Sequence, residues 1–216
     1  MKLFVKQNRI FLSLYLLFLI AGAVIIAVYE KGDEIVYINS LHNSFFNEFF
    51  KWTTRLAELP AMLLILLIAV FSSYGRGLLL WLNMFANFAV VQVLKKLVFA
   101  DQVRPSVFFE GKMPLDFVQG LEIARYHSFP SGHTATAFAL FFMLNIITKD
   151  KRWSAFLFFV ALLVGVSRVY LLQHFFRDVY VGSLIGVLVP SVFYLTFGQS
   201  KFYNNLPWKN KALFRK

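Results

Sequence analysis

Polar and charged residues in this chain gather into short clusters. Between them run six stretches that are almost free of charge, at roughly residues 10–29, 57–74, 77–99, 131–148, 153–171 and 179–198. Each approaches the about 20 apolar residues that a helix needs to cross a hydrocarbon core about 30 Å thick. The pattern predicts an all-α protein, a six-transmembrane helical bundle forming one domain over residues 1–216. No internal repeat, low-complexity tract or long linker divides it. The first stretch does not read as a cleavable signal peptide, because no small-residue cleavage site closes it before Tyr29-Glu30-Lys31.

One segment between the first two spans departs from both patterns. In "HNSFFNEFFKWTTRL", residues 42–56, Phe45, Phe46, Phe49, Phe50 and Trp52 recur at roughly helical spacing with polar residues between them. That predicts an interfacial helix lying along the bilayer surface. An anchor is the preferred reading, ahead of a lateral entrance for lipid.

Composition agrees with the bundle. Hydrophobic residues make up 59% of the chain and charged residues 15%, where a soluble domain carries roughly a quarter charged. Cysteine is absent, which excludes disulfides and thiolate metal sites. The formal net charge of +11 suits either nucleic acid or an anionic membrane surface, and its distribution separates the two. With the N-terminus cytoplasmic, one face carries Lys2, Lys6, Arg9, Arg76, Lys149, Lys151, Arg152, Lys201, Lys209, Lys211, Arg215 and Lys216, with Asp150 as its sole acid. The ten basic and ten acidic residues of the other face cancel. The positive-inside rule therefore predicts that both termini are cytoplasmic. The cations form short helix flanks, so no nucleic-acid partner is expected; the bilayer is the partner.

Three polar clusters then fall on the outer face. They are "KKLVFADQVRP" (Lys95–Pro105), "PSGH" (Pro130–His133) and "SRVYLLQHFFRD" (Ser167–Asp178). Lys95, Lys96, Arg104 and Arg168 are cations at the membrane boundary without equal adjacent acids. Any one of them alone reads as snorkelling to headgroups. Arg168 is the exception, because it ends the apolar run "FLFFVALLVGVS" and a charge there needs a partner or ligand. Arginine forks and lysine point charges both suit phosphate. The helix beginning at the Pro-Ser-Gly-His turn adds free N–H groups and a positive dipole end at Ser131, Gly132 and His133. In isolation Ser131 reads as a simple N-cap.

His174 and Asp178 are spaced i, i+4, so a carboxylate can hold one ring nitrogen and leave the other free to attack. A metal set of His133, His174 and Asp178 is the competing reading. It is disfavoured because a cradle of Lys and Arg would repel a cation. A purely structural pair is the third. His42 and His127 lack such company and receive no role.

Together these residues resemble the type 2 phosphatidic acid phosphatase (PAP2) superfamily of membrane lipid phosphatases. Its pattern is Lys-x6-Arg-Pro, then Pro-Ser-Gly-His, then Ser-Arg-x5-His-x3-Asp. Pro130-Ser131-Gly132-His133 and Ser167-Arg168, His174 and Asp178 match in residue and spacing. The first motif departs: seven residues separate Lys96 from Arg104, and eight separate Lys95. Spacing favours Lys96.

The resemblance implies a cofactor-free, metal-independent, two-step phosphoryl transfer on a lipid phosphate. His174 would attack phosphorus to form a phosphohistidine, with Asp178 orienting it, while His133 would protonate the leaving oxygen and then activate water. Lys96 (or Lys95), Arg104, Arg168 and the Ser131–Gly132 amides would hold the equatorial oxygens. It also implies a bacterial-type inner-membrane enzyme whose site faces the outside. Expected substrates are undecaprenyl diphosphate, phosphatidylglycerol phosphate or phosphatidic acid, with lipid A phosphates second. A non-catalytic lipid-phosphate binding or transport protein is the alternative from another class, and it would not need both His133 and the His174–Asp178 pair.

Overall fold

A computed structural model gives the fold and describes residues 1–148 and 150–212. Lys149, Arg215 and Lys216, counted above on the basic face, lie outside the described residues. The helices in chain order are α1 (Lys2–Gln7), α2 (Arg9–Val28), α3 (Asp33–Asn39), α4 (Ser44–Thr54), α5 (Leu59–Ser72), α6 (Tyr74–Val93), α7 (Pro105–Phe108), α8 (Gly132–Ile147), α9 (Ser154–Tyr170), α10 (Phe176–Phe193) and α11 (Lys201–Asn204). Wider π turns extend α6 over Leu94–Val98 and α10 over Tyr194–Gly198. Among the described residues there is no strand.

Four helices are long and apolar enough to cross a membrane: Arg9–Val28, Tyr74–Val98, Lys151–Tyr170 and Phe176–Gly198. The protein is a multi-pass membrane protein. Two of the six expected spans take another form. The segment expected at 57–74 is the 14-residue α5, bent by 50° from the helix before it, and the two together make a fifth candidate span. The segment expected at 131–148 is α8, with 16 residues, about 24 Å long at 1.5 Å per residue. Helix α8 is also the innermost helix. Phe138, Leu140 and Phe142 are fully enclosed, while α2 turns Leu16, Leu17 and Ile20 outward.

The core around α8 is largely aromatic. Phe11 of α2 lies 4.7 Å from Phe142 and 5.5 Å from Phe158, centroid to centroid. Polar bridges fix the helices where hydrocarbon cannot discriminate between them. Asn145 donates to Asn8 at 2.9 Å and accepts from Ser154 at 2.6 Å, which joins α8 to α9 and to the chain between α1 and α2. On the other flank α10 presents Gly182 and Gly186 to α8. A Cβ at Gly182 would stand 2.6 Å from the Ser131 carbonyl oxygen, and one at Gly186 2.6 Å from Phe138 Cβ. These two glycines allow a small-xxx-small contact, and it draws the start of α10 against the start of α8.

Candidate active site

The site lies where the C-terminal end of α6, the N-terminal end of α8 and the loop from α9 to α10 meet. At the end of α6 the backbone widens, with Phe99 N–H donating to the Leu94 carbonyl at 2.8 Å. This turn decides between the two lysines. Lys95 is half-buried, and its Nζ lies 3.9 Å from where a Cβ on Gly132 would sit, whereas Lys96 is exposed. The preference for Lys96 on spacing is therefore corrected: Lys95 faces the site. The wide turn over Leu94–Val98 and the following turn absorb the extra residues before Arg104.

Arg104 N-caps α7, whose first residue, Pro105, cannot continue a helix backwards. Its Nε donates to the Tyr126 carbonyl at 3.0 Å, and its Nη1 to the Gln173 carbonyl at 3.1 Å and to Gln173 Oε1 at 3.2 Å. Gln173 in turn donates to the Glu122 carbonyl at 3.2 Å. Arg104 thus fastens the loop before α8 to the loop before α10.

Ser131 is the N-cap of α8: its Oγ accepts from Thr134 N at 3.4 Å and from Thr134 Oγ1 at 2.9 Å. Its own N–H donates to the Asp178 carbonyl at 3.0 Å. The expectation that the Ser131 amide holds a phosphate oxygen is corrected by this bond, because that donor is already committed. Gly132 and His133 open the helix, where N–H groups have no partner within it. Over Gly132 there is room, since an added Cβ would meet only Val91 Cγ1 at 3.8 Å and Lys95 Nζ at 3.9 Å.

Arg168 occupies the last turn of α9 and is buried. Its Nη1 donates to Thr54 Oγ1 at 2.7 Å, while its buried Nε has no partner among the described residues. The chain then reverses tightly, with Leu172 in the left-handed region at φ 55°. The N–H groups of Gln173 and His174 both donate to the Arg168 carbonyl, at 3.0 and 3.1 Å.

His174 and Asp178 pair as expected from their spacing, with Nδ1 and Oδ2 3.2 Å apart. The route differs from the helical neighbours expected. His174 stands before α10, and Asp178 is its third residue. The same carboxylate oxygen accepts from Phe175 N–H at 3.1 Å and from Ser128 Oγ. One Asp178 oxygen therefore closes the helix end and orients the imidazole. Burial is the main cause that holds His174 well below its ordinary pKa, and the charges of Arg104, Arg168 and Lys95 add to it. Both effects favour the neutral ring, the form that could act as a nucleophile.

Thr54, Glu58, Arg104, Glu122, His133 and Arg168 line a cavity of about 310 Å³ beside this cluster. The sequence-expected residues Lys95, Arg104, Ser131, Gly132, His133, Arg168, His174 and Asp178 are thus brought to one end of the bundle; Lys96 lies at the same end but is exposed. Among the described residues no group of three or more His, Asp and Glu converges to hold a metal ion. His127 lies in the left-handed region at φ 55°. His42 has a structural contact, its Nε2 lying 2.8 Å from the Tyr170 carbonyl oxygen.

Ser128, Gln173 and Thr54 escaped the sequence reading. Ser128 and Gln173 stand beside recognised motif residues. Thr54 carries no signal beyond being a polar residue that α4 buries. Helix α4 does more than display Phe45 and Trp52, which are exposed. It also stacks Phe50 on Tyr170 at 4.4 Å and delivers Thr54 to Arg168.

A cationic cradle around a neutral, carboxylate-held histidine is the arrangement that the three motifs anticipate, and residues 76–202 match the model of the PAP2 superfamily. The chain belongs to the PAP2 superfamily. It is similar to "Probable lipid phosphate phosphatase 4" of Arabidopsis thaliana, 37% identical over 103 residues, or 42% of this chain. The match spans only 33% of that relative's length. Among solved PAP2-like structures it resembles Aquifex aeolicus LpxE, with TM-score 0.68 and 26% identity over 79% of this chain and 98% of that one. It also resembles the PAP2-type phosphatidylglycerolphosphate phosphatase of Bacillus subtilis, with TM-score 0.58 and 26% identity over 89% of this chain and 98% of that one.

Proposed function

We propose that the protein is an integral-membrane lipid phosphatase that hydrolyses a phosphomonoester or diphosphate of a lipid through a phosphohistidine. The observation that carries this reading is the buried His174. Burial favours its neutral form and Asp178 orients it, beside Lys95, Arg104 and Arg168, none of which forms an ion pair among the described residues. With Nδ1 held by Asp178, Nε2 attacks phosphorus in line. The P–O bond to the lipid breaks as His133 gives its proton to the leaving oxygen. His133 then takes a proton from water, and the oxygen of that water displaces phosphate from His174. Lys95, Arg104, Arg168 and the Gly132 and His133 amides hold the equatorial oxygens as charge develops. Such prearranged donors act most strongly where water is excluded.

The substrates ranked first are undecaprenyl diphosphate, phosphatidylglycerol phosphate and phosphatidic acid. The name of the Bacillus relative supports a glycerolipid phosphate. In this reading α5 and α8 also cross the bilayer, so that both termini lie in the cytoplasm of a bacterial inner membrane and the site lies on the outer face. The charge asymmetry of the sequence supports that orientation. The test is phosphate release from these lipids in detergent. His174→Ala should abolish it and EDTA should leave it intact. Normal turnover by His174→Ala would sink the mechanism, and loss with chelator restored by Zn²⁺ would replace it with a metal-dependent one.

A further inference from the structure

The opposite end of the bundle contains a larger cavity, of about 770 Å³. Along α8 the two ends are separated by 16 residues, about 24 Å. Arg76, Lys151 and Lys209 line this cavity, and among the described residues no carboxylate lines it. Their partners are neutral. Lys151 donates to the Asn145 carbonyl, and Lys209 donates to Asn204 Oδ1 at 2.7 Å and lies 5.2 Å from the Tyr203 ring centroid. Arg76 is half-buried, and its side chain makes no hydrogen bond or ion pair among the described residues. The nearby acid, Asp150, is held by Arg152 at 2.7 Å. Three partly enclosed cations around one cavity call for an anion, and an unpaired guanidinium fork suits a phosphate.

Arg76 also marks where this cavity meets a second one, of about 220 Å³. The two share Ser72, Arg76, Ile147 and Thr148. The second runs between α5 and α8 along Ile65, Ile68 and Leu144. A basic chamber that continues into an apolar groove matches a molecule with a phosphate head and a hydrocarbon tail. The N-terminus of α6 does not supply the anion site. The Tyr74 and Gly75 N–H groups donate to the Lys211 and Lys209 carbonyls at 2.9 and 3.0 Å.

We propose that this end binds an anionic phospholipid, with its phosphate on Arg76, Lys151 and Lys209 and an acyl chain in the groove between α5 and α8. Because Tyr203, Asn204 and Lys209 line the chamber, the bound lipid braces the C-terminal segment against α6. The site is independent of the chemistry proposed for the other end.

The test uses the full chain in detergent. Native mass spectrometry follows titration with dioleoyl phosphatidylglycerol, a phosphodiester and so neither a phosphomonoester nor a diphosphate substrate. Thermal stability is measured with inorganic phosphate alone. Wild type and Arg104→Gln should retain the lipid, and Arg76→Gln/Lys209→Gln should bind it about tenfold or more weakly, the scale of one lost charge-assisted hydrogen bond. Ile68→Trp fills the groove and leaves the cations in place, so it should weaken the lipid even if the double variant does not fold. Stabilisation by phosphate that needs Arg76 and survives Ile68→Trp, without an Arg76-dependent lipid adduct, would overturn the lipid and leave free phosphate as the ligand of the chamber. Lipid retention unchanged in both the double variant and Ile68→Trp, or lost in Arg104→Gln alone, would overturn the proposal.

Discussion

Thr54→Val tests whether α4 is part of the catalytic apparatus. The substitution conserves shape and removes one atom group, the hydroxyl that accepts from Arg168 Nη1 at 2.7 Å. Arg168 is 6% exposed and its Nε lacks a partner, so among the described residues Thr54 is the only hydrogen-bond partner of its side chain. A hydrogen bond to a charged group contributes about 1.5–3 kcal/mol. If the bond holds the guanidinium where phosphoryl charge develops, that converts to about a ten- to hundredfold loss in turnover. Thr54 acts here as a positioning residue, so the assay must separate position from folding. Steady-state phosphate release should show the loss mainly in kcat, and Thr54→Ser should restore it, because serine returns the acceptor without the methyl group. Full activity in Thr54→Val would refute the link between α4 and Arg168. A Thr54→Ser variant as impaired as Thr54→Val would show that methyl packing is what matters.

Other consequences are quicker to state. Lys95→Ala should reduce kcat/KM by about a hundredfold, the scale of one lost transition-state donor, while the exposed Lys96 should tolerate alanine; phosphate-release kinetics on the two variants decides. Gly132→Ala should fold at least as stably as wild type, since its methyl makes only ordinary contacts at 3.8 and 3.9 Å and alanine is the better helix former. The methyl occupies the space facing Lys95, so a normal melting temperature should accompany a raised KM. Burial and the neighbouring cations lower the pKa of His174 from 6.5, so the unfolded chain binds a proton below that pH which the folded chain does not. Stability should therefore fall as pH drops through about 6.5, by up to about 1.4 kcal/mol per pH unit from this group. Melting curves of His174→Gln should lack that component, and an unchanged pH slope would show that the histidine is not held neutral.

The fold was legible as far as apolar periodicity reaches. Runs of about 20 hydrophobic residues announced α2, α6, α9 and α10, because an apolar run that long has few other ways to satisfy its backbone. The same signal does not distinguish a helix facing lipid from one enclosed by other helices. Helix α8 therefore looked like one more span, although Phe138, Leu140 and Phe142 are packed on all sides. Nor does hydropathy register a bend: α4 and α5 differ strongly in polarity, but the 50° between them follows from α4 packing Phe50 and Thr54 against α9. Gly182 and Gly186 looked unremarkable in sequence because their importance lies in what α8 places opposite them.

The site was legible where chemistry is carried by residue type and obscure where it depends on which atoms are already in use. Histidine, arginine and glycine in ordered motifs pointed to residues that the fold brings to one end of the bundle. Counting residues then favoured Lys96, because a count assumes a uniform helix; the chain at Leu94–Val98 winds more widely, and it is Lys95 that lies toward Gly132. The Ser131 amide was an error of the same kind. As a type it is a free helix-start donor, but α10 approaches so closely at Gly182 that the Asp178 carbonyl already accepts from it. The two corrections share a cause. Close contact between α8 and α10 takes up one donor and leaves Gly132 as the open approach, and Lys95 is the cation directed toward that opening.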